Sequence, residues 1–307
     1  MALFNPGAQT RRVIMFGGKG GVGKSTSSAA TALHFAMKGE RTLLISTDLT
    51  PSLSDIFCRQ IGPAETKVPQ IDNLWALEIG LDEVMRRWKE KFGDQIYQAA
   101  SAVIDMPYDD IIDYVGMAPG IQEEFLLDFI LEYLRSGRFD RIIWDTAPAG
   151  DTLRLLALPG KFLRHLRAAP RFYLKAQDML GLSQKPFLEL IEGWVTLSEE
   201  IIRFFGNPEN VEFIIVTTPE ALGVYQSRRI ISELAAHGIP VMRIVANGIL
   251  SGSDNDFLRS RGEMQQKYLS MLRDEYGADA IVQVPLFPCE VRGVEQLKEV
   301  ASVFFSE

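Results

Sequence analysis

The stretch Gly17–Thr26, GGKGGVGKST, constrains this chain more than any other. From Gly18 to Ser25 it satisfies the phosphate-loop pattern, a glycine, four variable residues, then Gly-Lys-Ser/Thr. The apolar run RVIMF (12–16) precedes it, and SSAATALHFAMKG (27–39) follows with helical character. Between a strand and a helix, glycines let successive N–H groups turn inward around phosphate oxygens. The helix from about Lys24 adds its positive N-terminal end. Gly18, Gly20, Gly21 and Gly23 suit that backbone role. Lys24 should reach the β- and γ-phosphates, and the Ser25 hydroxyl should ligate Mg²⁺. One lysine suffices for such a loop, so the second, Lys19, needs its own explanation.

The rest of the chain predicts the sheet that such a loop requires. RVIMF (12–16), RTLLIS (41–46), LWALEI (74–79), RIIW (141–144), EFIIVT (212–217), VMRIVA (241–246) and AIVQV (280–284) read as buried strands. Helical patterns follow most of them, which predicts an α/β fold with a mainly parallel sheet. Ligands in such sheets sit at the carboxyl ends of the strands. The loop, TDLTPSLSD (47–55) and DTAPAGDT (145–152) all follow strands and can meet there. Two stretches, 81–136 and 155–205, read as wholly helical. In the first, Val84, Met85, Trp88, Phe92, Ile96 and Val103 recur at near-helical spacing, and IQEEFLLDFILEYL (121–134) is apolar on most sides. In the second, Phe187, Leu188, Ile191, Trp194, Val195, Ile201, Ile202 and Phe205 form a stripe. With no Gly/Ser- or Pro-rich linker, residues 1–307 read as a single domain carrying two helical insertions.

A net charge of -8 argues against a nucleic-acid binder, which shows a basic face. Cys58 and Cys289 give neither a disulfide framework nor metal-ligand spacing. The N-terminus lacks a signal-peptide core and no run reaches membrane-span length. The expectation is a soluble, cytoplasmic protein. VEQLKEVASVFFSE (294–307) is amphipathic but acidic, so it reads as the last core helix, not an anionic-lipid binder. Asp145 closes an apolar run, as a Walker-B aspartate near Mg²⁺ does. Asp48 lies in a polar loop, where it could orient the attacking water or make an Asx turn.

Several motifs together are similar to one family. KGGVGKST, with its extra lysine, resembles the deviant Walker-A P-loop NTPases. DTAPAGDTLRLLALP (145–159), STDLTPSLSDIF (46–57) and PLFPCEVRGVEQL (285–297) resemble switch II, switch I and the adenine loop of the arsenite-pump and tail-anchored-protein-targeting ATPases. QQKYL (265–269) and PGIQEE (119–124) fit as well, so the similarity spans nearly the whole chain in order. The resemblance implies ATP/ADP and Mg²⁺ as cofactors, bound by Gly20, Gly21, Val22, Gly23, Lys24, Ser25 and Thr26. It implies that Lys19 reaches the partner's nucleotide across a homodimer, that Asp48 directs water, and that Asp145 is the switch II aspartate. Asn247 would read adenine, with Pro285, Leu286, Phe287, Pro288 and Val291 closing the base pocket. The implied activity is ATP hydrolysis. The implied partners are a second copy, the hydrophobic transmembrane segment of a client protein, and a membrane receptor.

The chain departs from the family at points. Switch I usually reads Asp-Pro-Ala-His-Asn/Ser-Leu-Ser-Asp, and in this chain the middle of it, after Asp48, is Leu49-Thr50-Pro51-Ser52. Asp151 stands at a usual His, and the zinc-binding cysteine pair falls at Asn255 and Leu258, so zinc is not predicted. An apolar client groove is expected from the insertions, above all from 160–205, although that stretch holds only Met179. The alternatives are an arsenite- or antimonite-stimulated pump motor and a partitioning or positioning ATPase.

Overall fold

The computed structural model describes residues 11–48, 52–101, 105–118, 120–147, 149–180, 185–250 and 255–305. All seven apolar runs form strands, with ends within three residues of those expected. They are β1 (Val13–Gly17), β2 (Thr42–Ser46), β4 (Leu74–Glu78), β5 (Arg141–Asp145), β6 (Val211–Thr217), β7 (Val241–Ile249) and β8 (Ile281–Pro285), joined by a short β3 (Thr66–Lys67). The sheet runs β3-β4-β2-β5-β1-β6-β7-β8, and every pairing is parallel except β3 with β4. Every residue of β1, β2, β5 and β6 is buried. A sheet covered on both faces leaves no solvent side for polar alternation, hence the continuous apolar runs. β3 was not expected, because two residues carry no periodic signal.

The chain divides into two compact units, Met1–Ile79 with Ser136–Leu153 and Gly206–Glu307, and Gly80–Arg135 with Arg154–Phe205. The first holds the sheet, α1 (Lys24–Met37), α2 (Leu53–Ile56), α8 (Ala221–Ala236), α9 (Asp256–Tyr276) and α10 (Gly293–Phe304). Leu33 of α1 and Leu297 and Phe304 of α10 are fully buried in the core cluster beside Ile14 and Leu44 of the sheet. The C-terminal amphipathic segment is therefore a core helix.

The second unit holds α3 (Leu81–Ala100), α4 (Tyr108–Gly116), α5 (Ile121–Arg135) and α7 (Lys185–Phe205). It also takes most of α6 (Ala149–Leu180). Among the described residues the stretch 81–136 forms three helices. Val84, Trp88 and Ile96 are buried, Met85 and Phe92 are partly buried, and Val103 lies outside the described residues. Along α5, Ile121, Phe125, Leu126, Leu127, Phe129, Ile130, Leu131 and Leu134 are all buried. These two faces are packing surface, not an open groove. On α7, Ile191, Ile201 and Phe205 are buried but Ile202 is exposed, so the expected stripe is narrower than read. The side chains of 169–187, including Phe187 and Met179, lie outside the described residues.

Burial of α5 on nearly every side carries an electrostatic consequence. Asp128 is fully buried but paired with Lys91 and Arg135. Glu124, one turn earlier, is also buried, and neither of its carboxylate oxygens has a hydrogen-bond partner. It borders a cavity of about 10 Å³ among Trp88, Phe92, Phe125, Phe162 and Trp194, room for about one water. Desolvation pushes its carboxyl up to about 7; the Ser198 hydroxyl opposes the shift and the Asp128 charge adds to it. The folded protein therefore holds a proton here at pH values where the unfolded chain has lost it. Stability should fall as pH rises from near 4.5 through 7, by on the order of 3 kcal/mol in all. Glu124→Gln should remove that fall. Denaturant titrations at pH 5 and pH 8 should show the wild type losing more stability between them than the variant, in which Asp145, raised to about 6, still titrates.

Candidate nucleotide site

The loop Gly18–Gly23 leaves β1 at the middle of the sheet, and two of its glycines are dictated by their surroundings. Gly18 has φ +151, and a Cβ there would run into the Val216 carbonyl of β6. Gly23 sits at φ +97 as the N-cap of α1, where a Cβ would meet the Asn247 amide. No side chain caps α1 and its first turn carries no acid. Its leading N–H groups are left for an external anion. Lys24, on the first turn, is buried at 4 % exposure. Its Nζ lies 3.4 Å from the Lys19 carbonyl and 4.0 Å from Asp48 Oδ2. The Lys19 side chain is exposed.

Neighbouring strand ends bring the acids to this loop. Asp145 ends β5, level with Phe16 of β1 on one side and Ser46 of β2 on the other. The Thr47 amide donates to the Asp145 carbonyl at 3.1 Å, and the Trp144 indole N–H donates to Thr47 Oγ1 at 3.0 Å. These bonds set the loop that carries Asp48. Asp145 is completely buried; Ser46 Oγ donates to its Oδ2 at 3.2 Å, while Oδ1 has no partner. Burial raises its carboxyl to about 6, with the Ser25 and Ser46 hydroxyls and the Lys24 ammonium opposing and Asp48 adding to the rise. An orphaned, desolvated carboxylate oxygen beside a phosphate-loop hydroxyl suits a hydrated divalent cation, which would restore the charged form. Asp145 and Ser25 therefore fit Mg²⁺.

The residues expected to hold the base lie on β7 and just after β8. Asn247 Nδ2 donates to the Val22 carbonyl at 2.9 Å, so this side chain rests against the phosphate loop itself. After β8 the Leu286 amide donates to the Ile249 carbonyl at 2.9 Å. Phe287 and Val291 pack against the core, whereas Leu286 is 62 % exposed. Leu49, Thr50 and Pro51 of switch I lie outside the described residues, as does the Asp151 side chain. Asn255 caps α9 instead, its Oδ1 accepting from Phe257 N at 2.9 Å and Leu258 N at 3.2 Å.

Sequence reasoning missed Ser46 and Glu78. Glu78 ends β4 in the structure but stands inside the apolar run LWALEI, before Ile79, so no strand-end acid marks it in the sequence.

Sheet and loop together define a P-loop nucleoside triphosphatase. The anion-transporting ATPase family matches residues 11–306. ATPase GET3 of Debaryomyces hansenii is 35% identical over 313 residues, covering 93% of this chain and 87% of that protein. ATPase get3 of Schizosaccharomyces pombe is 33% identical, covering 93% and 88%. The ATPase ASNA1 homolog of Dictyostelium discoideum is 32% identical, covering 93% and 87%. This chain belongs to the anion-transporting ATPase family, and it is an ATPase.

The glycine argument can be tested by Gly23→Ala. It should destabilise the protein by roughly 2 kcal/mol or more through backbone strain and overlap. Adding Asn247→Ala should recover only the overlap, and a double-mutant cycle in denaturant measures the division.

Proposed function

We propose that this chain is a Mg²⁺-dependent ATPase that works as a nucleotide-gated homodimer. Its role would be to shield hydrophobic segments of membrane proteins in the cytoplasm and deliver them to a membrane receptor. The single observation that carries the nucleotide chemistry is the orphaned Asp145 Oδ1, buried beside the uncapped start of α1. In this reading the loop N–H groups and Lys24 hold the phosphates, and Ser25 and Asp145 hold the cation. When bound, Mg²⁺ would neutralise charge on the β- and γ-phosphate oxygens. Asp48 orients the attacking water. Asn247 and the segment Pro285–Val291 hold the base. Lys19, exposed on the loop, supplies a positive charge to the partner's nucleotide, the part an arginine finger plays elsewhere. The helical stretches 81–136 and 155–205 are insertions on one ATPase fold.

The cargo reading is supported by the relatives named above and by one surface. Met106, Tyr108, Tyr114 and Met117, on and beside α4, are exposed, Tyr114 and Met117 at 74% and 71%. Methionine and tyrosine together make an adaptable apolar face. This face joins 160–205, part of which lies outside the described residues, as the proposed client surface.

Asp48→Asn should bind ATP with unchanged affinity and hydrolyse it about 100-fold more slowly, as single-turnover assays would show. Lys24→Ala should abolish hydrolysis, and unchanged turnover would remove the site assignment. Lys19→Ala mixed with Lys24→Ala should regain one intact site per mixed dimer, about half of a wild-type dimer's activity, since both defects then fall in the same active site. Co-purification of Asp48→Asn with a tail-anchored protein should require both ATP and the client's transmembrane segment. Failure to co-purify would overturn the cargo reading alone.

A further inference from the structure

Glu78 makes a set of contacts that the ATPase chemistry described above leaves unused. It ends β4 level with Ser46 of β2, which is in turn level with Asp145 of β5. Glu78, Ser46 and Asp145 thus stand in a row along the carboxyl edge of the sheet. Both oxygens of Glu78 are engaged. Oε1 accepts from the Ser52 and Leu53 amides at 2.7 Å each, and Oε2 accepts from Ser54 Oγ at 2.7 Å. All three donors belong to the start of α2, in the stretch identified above as switch I.

The consequence lies in what Ser52 does. A serine at a helix N-cap ordinarily turns its hydroxyl onto its own helix amides. Ser52 occupies the N-cap of α2 and makes no such bond. Glu78, from a different element, has taken the leading amides instead. The Ser52 hydroxyl is therefore released, and it lies 3.0 Å from Ser25 Oγ. A carboxylate accepting amide donors makes charge-assisted bonds, stronger than those of a serine hydroxyl, so this exchange is held firmly.

We propose that Glu78 is a positioning residue for ATP hydrolysis: by capping α2 from β4 it holds the Ser52 hydroxyl at Ser25, and through it orients the magnesium-binding hydroxyl. This rests on the reading of Ser25 as a magnesium ligand. Glu78 spends both carboxylate oxygens on the start of α2. Its influence runs through Ser52, and Ser52 acts at one point only. The inference therefore requires that the two residues be non-additive and that both act on the same quantity.

That quantity is the magnesium dependence of nucleotide binding, read from the affinity for a fluorescent ATP analogue with Mg²⁺ and with EDTA on the full-length protein. Ser52→Ala and Glu78→Ala should each raise the Mg²⁺ concentration for half-maximal binding about 5- to 10-fold. Both should leave affinity in EDTA within about 2-fold of wild type. kcat should fall about 10-fold or more with KM for ATP, at saturating Mg²⁺, changed less than about 3-fold. The double variant should be no worse than Glu78→Ala alone, and Glu78→Gln, which keeps an acceptor for the two amides, should recover most of the magnesium response. Ser25→Ala separates the two readings. If it leaves the magnesium response unchanged, the magnesium-site reading falls and the inference with it. If it shifts the response while Ser52→Ala and Glu78→Ala do not, the role of Glu78 alone is overturned. Should Glu78→Ala fail to fold, Ser52→Ala, which disturbs no helix cap, decides the matter: an unshifted magnesium response overturns the proposal.

Discussion

The burial of β1 between two parallel neighbours is the constraint on which the rest of the structure depends. β5 and β6 pair with it on either side, and all three strands are buried along their length. The chain must therefore leave β1 at the carboxyl edge of the sheet, into a space hemmed by Val216 on one side and Asp145 on the other. Only a glycine-rich turn escapes there, and it empties into the open amino end of α1. Anion binding is less an addition to this fold than the result of ending a buried central strand with a helix that has no cap of its own.

Polar groups are then concentrated at one edge. Strand ends that are level in the sheet bring Glu78, Ser46 and Asp145 into line, although they come from distant parts of the chain. The two acids among them are spent differently. Glu78 has its oxygens filled by switch I donors, and it works as structure. Asp145 has one oxygen left bare and is fully desolvated, an arrangement that costs stability unless something positive arrives. Glu124 shows the same penalty in the second unit, where a small aromatic-walled cavity offers no such visitor.

Much of the fold was legible in the sequence because buried parallel strands announce themselves as unbroken apolar runs. RVIMF, RIIW and EFIIVT are found where they were expected, and the phosphate loop follows the first of them. What could not be read was whatever depends on pairing across the sheet. Nothing in LWALE says that its final glutamate will reach amides some twenty-five residues earlier, because that contact exists only once β2 and β4 are in register. The apolar patterns of α3 and α5 were readable as helix but not as core or surface, since a stripe looks the same in either use. Burial assigned them to the core, and left α4, with Tyr114 and Met117, as the face turned outward.

Trp144 ends this chain of dependencies in an unexpected place. It is fully buried one residue before Asp145, and its indole N–H is held by Thr47, one residue before Asp48. The emission of an indole shifts with its hydrogen bond and with the local field, and both are set here by the two loops that flank the phosphate site. Of the four tryptophans, this one is tied by its hydrogen bond to the segment that carries Asp48, so a shift of that segment must change the indole's surroundings.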